Sequence, residues 1–497
     1  MKTAFLFGAG AEVDYGLPTG GRFALEIFRQ DSTKSKQDFK ENRSKIDTST
    51  LYAGKWLPES FLAKSVSSFG KPVFESIIRD TIEHNRDKII ANLNCFDKIA
   101  ITEENELNKR HSVNITSLLE ERMGTSLSNC NLKQQISFNE YFKEGNEIFS
   151  SKYLSALLKI YKKKSISGEL LLELRKIILS ILQLHIGALS ESLTKKINDG
   201  IFLIKDDDID LLDDIGDIMQ LNYQATGLTG LEYVMEIRTN EKIQNNDEYI
   251  VLFAKKIIEN IYATVLDYKT LIDSYWHYLY CPKEEWAKFC KISIFLYTVR
   301  EYIKNQLSEQ TLSTNKGYYH DLKKYLDFEK IEVTTLATTN YNTFIESILD
   351  NPISYLNGST ELWYDPYLNK VGDRSQLDKN EVHFTVPLLF TQSGTKPMTC
   401  IEMSKLYVKM YDEFQLSDKI VVVGFGFNKD DEHINGILRA LIDDEDKHIY
   451  VIECNKENTS DKIANKLKTN KTGNVHVFHI DEHRNIDGLI WIEKIIA

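Results

Sequence analysis

The residues with the clearest capacity for chemistry follow an apolar run at the amino terminus. Residues 2–10 (KTAFLFGAG) end in two glycines, which predicts a buried strand that enters a tight turn. The loop Gly8-Ala9-Gly10-Ala11-Glu12 precedes a segment with helical spacing. In a dinucleotide-binding fold such a loop holds the pyrophosphate, because glycine lets backbone amides approach phosphate oxygens at a helix amino terminus. A plain tight turn explains the same residues, and Val13 replaces the third glycine of GxGxxG.

A second polar cluster, residues 337–342 (ATTNYN), follows a run of β-branched residues and precedes helical spacing at residues 344–349. Ligands of open α/β sheets bind outside the carboxyl ends of the strands, so polar residues at this position favour a binding site. Capping of the following helix by threonine or asparagine is the alternative explanation.

Two more loops of small or polar residues follow. Residues 355–360 (YLNGST) lie just beyond the second cluster, and residues 423–431 (VGFGFNKDD) close an apolar strand. Each loop alone is explained by a turn. Together with the first two clusters, they place four small or polar loops at predicted strand ends.

The elements that must position these loops change character along the chain. Residues 31–329 carry long stretches of apolar residues at helical spacing and almost no proline, which predicts a helical bundle. Residues 330–497 alternate apolar strands with helical segments, which is typical of βαβ units and a parallel sheet. We expect residues 1–30 to join this sheet, because an isolated strand leaves its edges unpaired. The predicted architecture is α/β, a Rossmann-like parallel sheet interrupted by a large all-helical insertion.

The four loops, in this order, resemble the sirtuin-like family of NAD-consuming domains. The GAG loop and its G-[IL]-P-x turn are matched by Gly8-Ala9-Gly10 and Gly16-Leu17-Pro18-Thr19. The T-x-N-Y/I-D strand end is matched by Thr338, Asn340, Tyr341 and Asn342, and the HGS-type loop by Asn357-Gly358-Ser359. The last strand end, V-x-G-[YF]-[SG]-F-x-x-D, is matched from Val422 through Gly424, Phe425, Gly426 and Phe427 to Asp430 or Asp431. The resemblance covers residues 1–30 and 330–455.

This resemblance implies a pocket that holds NAD+ with its nicotinamide riboside bond exposed. Cleavage of that bond passes through an oxocarbenium-like state, so the site must orient the ribose, stabilise positive charge and position a nucleophile. The implied catalytic residues are Asn340, which orients water or ribose, and Asn357. The implied NAD+ contacts are Gly8, Ala9, Gly10, Glu12, Pro18, Thr19, Thr339, Asn340, Tyr341, Gly358, Ser359, Gly424, Phe425 and Asp431.

Two residues depart from the family pattern. Asn357 replaces the histidine that acts as a base, and an amide accepts no proton near neutral pH, so base assistance worth about 10²–10⁴-fold is in question. Glu12 stands where the family more often has serine. The sequence gives no reason to assign the base role to His320, His383 or His433.

The spacing of the cysteines argues against protein deacetylation. None of the six forms a CxxC pair, so the zinc module of the sirtuin deacetylases is missing and no metal cofactor is expected. Sirtuin-like chains with helical additions resemble bacterial anti-phage effectors that destroy NAD+ in the infected cell. We therefore expect an NAD+ glycohydrolase of abortive-infection defence. The alternative is a catalytically weak or inactive sensor or scaffold that binds NAD+ or ADP-ribose.

Bulk properties set the remaining expectations. The formal net charge of −12 and the absence of a basic cluster disfavour direct nucleic-acid binding, and a helical scaffold for nucleic acid ranks third among the hypotheses. The chain has neither signal-peptide features nor an apolar run long enough for a membrane helix, which predicts a cytoplasmic protein. The expected partners are NAD+ and a second copy of the chain, a partner defence protein or a phage-derived trigger.

Overall fold

The computed structural model describes residues 2–18, 20–70, 73–74, 76, 80, 84–130, 147–189, 233–235, 243, 245–266, 269–307, 316–389 and 400–496. The chain forms two compact units. The sheet unit comprises Met1–Thr19, Gln30–Phe69 and Lys269–Ala497, and the helical unit comprises Gly20–Arg29 and Gly70–Tyr268. This division differs from the predicted segments 1–30, 31–329 and 330–497.

The strands in the described part of the chain belong to three sheets. They are β1 (Lys2–Phe7), β2 (Glu332–Thr338), β3 (Ile353–Tyr355), β4 (Gly358–Asp365), β5 (Lys370–Gly372), β6 (Val386–Leu389), β7 (Lys419–Val423), β8 (Ile449–Glu453), β9 (Val475–His479), β10 (Asn485–Ile486) and β11 (Leu489–Ile490). The largest sheet has six strands in the order β3-β2-β1-β7-β8-β9. All of its neighbouring strands are parallel.

The helices lie in both units. They are α1 (Gly20–Phe28), α2 (Thr33–Lys45), α3 (Leu51–Trp56), α4 (Arg86–Asn94), α5 (Phe96–His111), α6 (Ile115–Met123), α7 (Lys152–Lys163), α8 (Gly168–Leu189), α9 (Asn246–Ala263), α10 (Lys269–Tyr275), α11 (Trp286–Gln306), α12 (Tyr318–Asp327), α13 (Phe344–Leu349), α14 (Arg374–Leu377), α15 (Ile401–Gln415), α16 (Glu432–Asp443), α17 (Ser460–Leu467) and α18 (Trp491–Ile496). Short 3-10 helices occur at Ala9–Tyr15, Leu127–Asn129, Ile148–Ser150, Trp276–Tyr280, Lys429–Asp431 and Thr472–Asn474. No helix in the described part of the chain is long and apolar enough to cross a membrane.

The parallel sheet confirms the predicted α/β class. β1 lies in the middle, where Phe7 aligns with Thr338 of β2 on one side and with Val423 of β7 on the other. Counting only the strands of this sheet, the order is the doubly wound 3-2-1-4-5-6, whose direction of winding reverses between the first and fourth strands. The carboxyl ends of β1 and β7 therefore flank the switch point at which such sheets bind ligands.

Burial on both faces explains why these strands are continuous apolar runs. Residues 4–7 of β1 and residues 420–423 of β7 are fully buried. On one face Phe5 packs edge-on against Trp491 of α18, and Phe7 packs edge-on against Tyr319 of α12. The described helices therefore cover this face of the sheet, and the strand ends carry the polar loops.

Part of the segment expected to be a helical insertion packs with the sheet unit. Tyr297 of α11 donates to the carbonyl of Thr385 at 2.7 Å, and Phe39 of α2 stacks on Phe384 with ring centroids 4.7 Å apart. These contacts reach the small antiparallel sheet β5-β4-β6. Residues 330–497 are predicted to form a parallel sheet, but β6 within this segment belongs to the antiparallel sheet.

The helical unit contains the helix that follows the amino-terminal loop. α1 is held there by ion pairs from Arg22 to Glu103 at 2.5 Å and from Arg29 to Glu259 at 2.7 Å. A Cβ at Gly21 would lie 1.4 Å from the carbonyl oxygen of Ala263, so α1 and α9 approach too closely for any side chain at this position. The predicted strand, loop and helix are all present, but the helix packs with residues of the expected insertion.

Candidate nucleotide site at the carboxyl edge of the parallel sheet

The loops that follow β1 and β7 are packed backbone against backbone. The amide of Gly8 donates to the carbonyl of Val423 and the amide of Gly10 to that of Gly424, both at 2.9 Å. A Cβ at Gly8 would lie 2.6 Å from the Gly424 oxygen, and a Cβ at Gly424 would lie 2.1 Å from the Ala11 nitrogen. Gly424 also has a φ of +65°, which favours glycine. Close approach of the two loops therefore requires these glycines.

This packing changes the role expected of the amino-terminal loop. The amides of Gly8 and Gly10 donate to β7 and its loop, and the amide of Ala11 donates to the Gly8 carbonyl at 3.0 Å. These three amides are consequently not available to a phosphate in this structure. Ala9 and Gly10 are exposed at the sheet edge. The tight-turn explanation of the glycines thus has direct support.

Asn340 lies where the ends of β1 and β2 meet. Its Nδ2 donates to the carbonyl of Gly8 and to the hydroxyl of Tyr319, both at 3.3 Å. Its backbone amide donates to the Thr338 hydroxyl at 3.0 Å, and the amide of Thr339 donates to the Phe7 carbonyl at 3.0 Å. The Asn340 residue is only 7% exposed, so its amide is held in one orientation and shielded from water.

Glu12 is the centre of a buried polar cluster with two of these groups. Its Oε1 accepts from the Tyr319 hydroxyl at 2.9 Å, and its Oε2 accepts from Nδ2 of Asn342 at 2.6 Å. The Asn342 Oδ1 accepts from the amide of Phe344, so this asparagine also satisfies a backbone donor at the start of α13. Glu12 is 4% exposed, and burial raises its pKa to about 7. The glutamate that the sequence left unexplained therefore organises the β1 and β2 loops.

Tyr319 is a site residue that sequence reasoning missed. It is fully buried at the start of α12, stacks on Tyr15 with centroids 5.5 Å apart, and receives the Asn340 amide. Its backbone amide donates to the Tyr15 hydroxyl at 3.1 Å. Tyr319 follows a predicted helical segment and precedes β2, so no local pattern ties it to a loop more than 300 residues earlier.

Asn357, at the end of β3, joins the same edge. Its Nδ2 donates to the carbonyl of Thr339 at 3.4 Å, and its Oδ1 lies 3.2 Å from Nε2 of His433 at the start of α16. Burial lowers the pKa of His433 to about 4, so the imidazole is neutral at pH 7. Because Oδ1 only accepts, we assign the ring proton to Nε2, which leaves the buried Nδ1 as an acceptor without a hydrogen-bond partner. The structure thus places the neutral imidazole of His433 beside Asn357.

The remaining residues of the 355–360 loop have structural contacts. Gly358 has a φ of +86°, and a Cβ there would lie 2.0 Å from the carbonyl oxygen of Leu388 in β6. The Ser359 hydroxyl is buried and accepts from the amide of Glu361 at 3.3 Å. The amide of Thr360 donates to the carbonyl of Tyr341 at 2.8 Å. Gly358 and Ser359 therefore hold the loop in shape beneath Asn357.

The loop after β7 contributes apolar and acidic residues. Phe425 is buried and packs edge-on against Phe427, whose φ of +51° places a non-glycine residue in the left-handed region. Asp431 is buried at the end of the 3-10 helix that precedes α16. Pro18 is half-buried, and Thr19 lies outside the described residues.

The structure therefore brings four predicted loops to one edge and joins them by hydrogen bonds. The links run from Gly424 to Gly10, from Gly8 to Asn340, and from Thr339 through Asn357 to His433. His320 follows Tyr319 and its Nδ1 lies 3.2 Å from the Tyr15 hydroxyl, whereas His383 lies against Asp365. Within the described ranges, no group of three or more His, Cys, Asp or Glu side chains is arranged to hold a metal ion.

Comparisons with known proteins yield no relative of this chain. A scan against protein-family models, a search of curated proteins and a search of solved structures each found no match. Inference about function therefore depends on the geometry of the site.

Proposed function

We propose that the chain is a sirtuin-like NAD+ glycohydrolase that releases nicotinamide and ADP-ribose. The observation that carries this proposal is the position of Asn340. It lies at the carboxyl end of β2, beside the switch point between β1 and β7, and its side chain is fixed by Gly8 and Tyr319. Nucleotides bind at that point of doubly wound sheets.

In the proposed reaction, water attacks the anomeric carbon of the nicotinamide riboside. The carbon–nitrogen bond breaks, its electron pair stays with the nicotinamide nitrogen, and the proton of the water is released. Asn340 orients the water or the ribose hydroxyls, and Asn357 supplies a second fixed amide. Positioning of this kind is effective because the pyridinium is already a good leaving group for water attack.

The phosphates of NAD+ would contact the exposed edge formed by Ala9 and Gly10, and Pro18 and Phe425 would line the cofactor. Tyr341 and Asp431 complete the proposed set of contacts. Because three amides of the β1 loop already donate to backbone carbonyls, phosphate recognition there depends on a rearrangement or on fewer amides than in a GxGxxG loop.

We place this activity in abortive anti-phage defence, in the cytoplasm, with the helical unit as the part that receives a trigger. The near-complete burial of Asn340 and Asn357 limits access to the reacting bond and supports a restrained enzyme, whereas the place in defence rests on the resemblance alone. An enzyme that depletes NAD+ must be restrained before infection. A second copy of the chain, a partner defence protein or a phage component would then open the site.

A catalytically weak or inactive sensor of NAD+ or ADP-ribose is the second candidate. It is favoured by Asn357, because an amide held by His433 and Thr339 cannot accept a proton near neutral pH. Such a protein would bind the nucleotide tightly and signal through assembly, as a scaffold subunit of a defence complex.

Nicotinamide release distinguishes the two candidates. Purified wild type and Asn340→Ala are incubated with NAD+, with and without lysate of phage-infected cells. The glycohydrolase proposal predicts release by wild type and a loss of about 100-fold or more in the variant, since orientation of the reactants is removed.

The matched control is Asn129→Ala, which removes an exposed amide in the helical unit and should behave as wild type. Nucleotide binding by calorimetry without release in any condition would support the sensor instead. Release that is equal in wild type and Asn340→Ala would overturn the assignment of Asn340.

A further inference from the structure

Glu12 is the one carboxylate in the hydrogen-bond cluster that holds Asn340 and Asn342. Its two oxygens accept from two different loops, because Tyr319 comes from α12 and Asn342 from the end of β2. Tyr319 in turn accepts from the Asn340 amide at 3.3 Å. Glu12 is therefore connected to the proposed catalytic amide through the Tyr319 hydroxyl, and the Asn340 amide is also close enough to lower the pKa of Glu12.

The hydrogen bonds that link Asn340 and Asn342 to Glu12 are all donated towards Glu12. The Asn340 N–H donates to the Tyr319 oxygen, and the Tyr319 O–H donates to Glu12. The Asn342 amide nitrogen donates to the other oxygen of Glu12, while its own oxygen accepts from Phe344. An ionised carboxylate is an acceptor only, so it satisfies both donors that face it.

A protonated Glu12 adds an O–H donor among neighbours that both donate to it. Its O–H would face either the amide nitrogen of Asn342, which is a donor, or the Tyr319 hydroxyl. If Tyr319 accepted this proton, its own hydrogen would meet the Asn340 N–H group in place of an acceptor. Either way a buried donor, the carboxyl O–H or a neighbouring group, is left without an acceptor, which favours a turn of one of the two amides.

The surroundings allow this proton to move near neutral pH. Burial raises the pKa of Glu12 to about 7, against the lowering by its three amide and hydroxyl partners. The titratable groups near it are Tyr319 from α12, Tyr355 from β3 and Tyr15 on its own 3-10 helix. His320 bonds the Tyr15 hydroxyl, and Asp14 is exposed two residues along the same helix. Burial raises the pKa of all three tyrosines, and Asp14 pairs with Arg484 at 2.8 Å.

We propose that Glu12 is a positioning residue whose ionised carboxylate sets the orientation of the Asn340 and Asn342 amides. The site is competent when Glu12 is deprotonated and loses its arrangement when Glu12 takes up a proton. This role rests on the proposed NAD+ hydrolysis, because it gives the oriented Asn340 amide its purpose. It also accounts for a glutamate at a position where a small hydroxyl residue would leave Tyr319 without an acceptor.

The titration of Glu12 is tested first by a measurement that does not depend on activity. Infrared difference spectra are recorded from about pH 5 to about pH 9, a range that brackets the shifted value and excludes ordinary carboxyls. A protonated-carboxyl band that disappears near pH 7 in wild type and is missing in Glu12→Gln supports the proposal. A Glu12 band that has already disappeared at the lower limit would overturn it.

Nicotinamide release then tests the positioning role. In wild type, kcat should rise with pH through an apparent pKa of about 7. Glu12→Gln places an amide N–H against one of the two donors, so its kcat should be about 100-fold lower above pH 8 and independent of pH, with KM changed less. The matched control Glu332→Gln, at an exposed position, should follow wild type. A Glu12→Gln profile parallel to that of wild type would overturn the proposal.

Tyr319→Phe separates orientation from burial, because it keeps the carboxylate and removes the link to Asn340. It should lower kcat comparably to Glu12→Gln while its infrared titration persists, and an unchanged kcat would contradict the chain of hydrogen bonds.

If wild type releases no nicotinamide, the function proposed above fails by itself. The NAD+ affinity measured by calorimetry then tests the role of Glu12. Wild type should bind NAD+ more weakly at about pH 6 than at about pH 8, and Glu12→Gln should show no such difference. Affinity independent of pH in wild type would overturn the role.

Discussion

The two halves of the site bury ionisable groups of opposite kinds. On the side of β1 and β2, Glu12 has a pKa raised to about 7 and accepts from Tyr319 and Asn342. On the side of β3 and β7, His433 has a pKa lowered to about 4 and contacts Asn357 as a neutral imidazole. Burial is the largest cause of both shifts, since it disfavours the charged form of either group. The group able to change charge near pH 7 therefore lies beneath Asn340 and not beside Asn357.

The β1 and β7 loops join the two halves of the site through their close packing at Gly424. Disrupting this packing should have the largest effect on stability. In Gly424→Ala a Cβ would lie 2.1 Å from the Ala11 nitrogen, at a residue with a φ of +65°. We expect the free energy of unfolding to fall by about 2–5 kcal/mol, from strain and from separation of the loops. Denaturant unfolding measures this change.

Gly473→Ala is the control for Gly424→Ala, because a Cβ at Gly473 meets nothing within 4 Å. Its free energy of unfolding should stay within about 0.5 kcal/mol of wild type. A Gly424→Ala protein that is equally stable would contradict the close packing of the β1 and β7 loops.

The pH dependence of stability sharpens the comparison. Glu12 has a folded pKa above its ordinary value of 4.5, so its contribution is fully present below pH 4.5 and is lost as pH rises through about 7. His433 has a folded pKa below its ordinary value of 6.5, so its contribution is present above pH 6.5 and is lost as pH falls through about 4. Each amounts to about 3 kcal/mol, and the two slopes oppose each other in wild type.

Variants should separate the two slopes. We compare each variant with wild type by the difference in their free energies of unfolding, variant minus wild type. Between about pH 4.5 and pH 6.5, this difference should increase with pH for Glu12→Gln and decrease with pH for His433→Leu. Denaturant unfolding across this range measures both. The account of the two buried groups fails if both variants keep the wild-type slope.

The smallest expected effect concerns the orientation of Asn357. His433→Leu removes the N–H that fixes Oδ1 and should lower kcat for nicotinamide release by about 10–100-fold, with a smaller change in KM. His433→Gln keeps a donor and should retain kcat within about threefold. The exposed His483→Gln serves as the control. Equal losses in His433→Leu and His433→Gln would indicate packing and not orientation.

The sequence predicted the parallel sheet and the four loops because these depend on local patterns. Apolar runs that stop at small or polar residues mark strand ends, and parallel strands place their carboxyl ends at one edge. Whether the resemblance to the sirtuin-like family holds stays a prediction, as do the activity and the role in defence.

The partners of each loop could not be predicted, because they come from distant parts of the chain. Tyr319 reaches Glu12, and His433 reaches Asn357, through folding alone. The placement of α1 in the helical unit likewise depends on Arg22 and Arg29 finding buried carboxylates. The use of the Gly8 and Gly10 amides by β7 and its loop also follows from packing, and no local pattern reports it.

Hydrogen–deuterium exchange of the Asn340→Ala protein, with and without NAD+, tests the central claim most directly, because this variant should bind the nucleotide without consuming it. The account predicts slower exchange in peptides covering residues 8–18, 338–342, 356–360 and 424–433, which are the four loops at the sheet edge. It predicts no change in β10 and β11. Protection confined to other segments, or no protection at saturating NAD+, would contradict a nucleotide site at this edge.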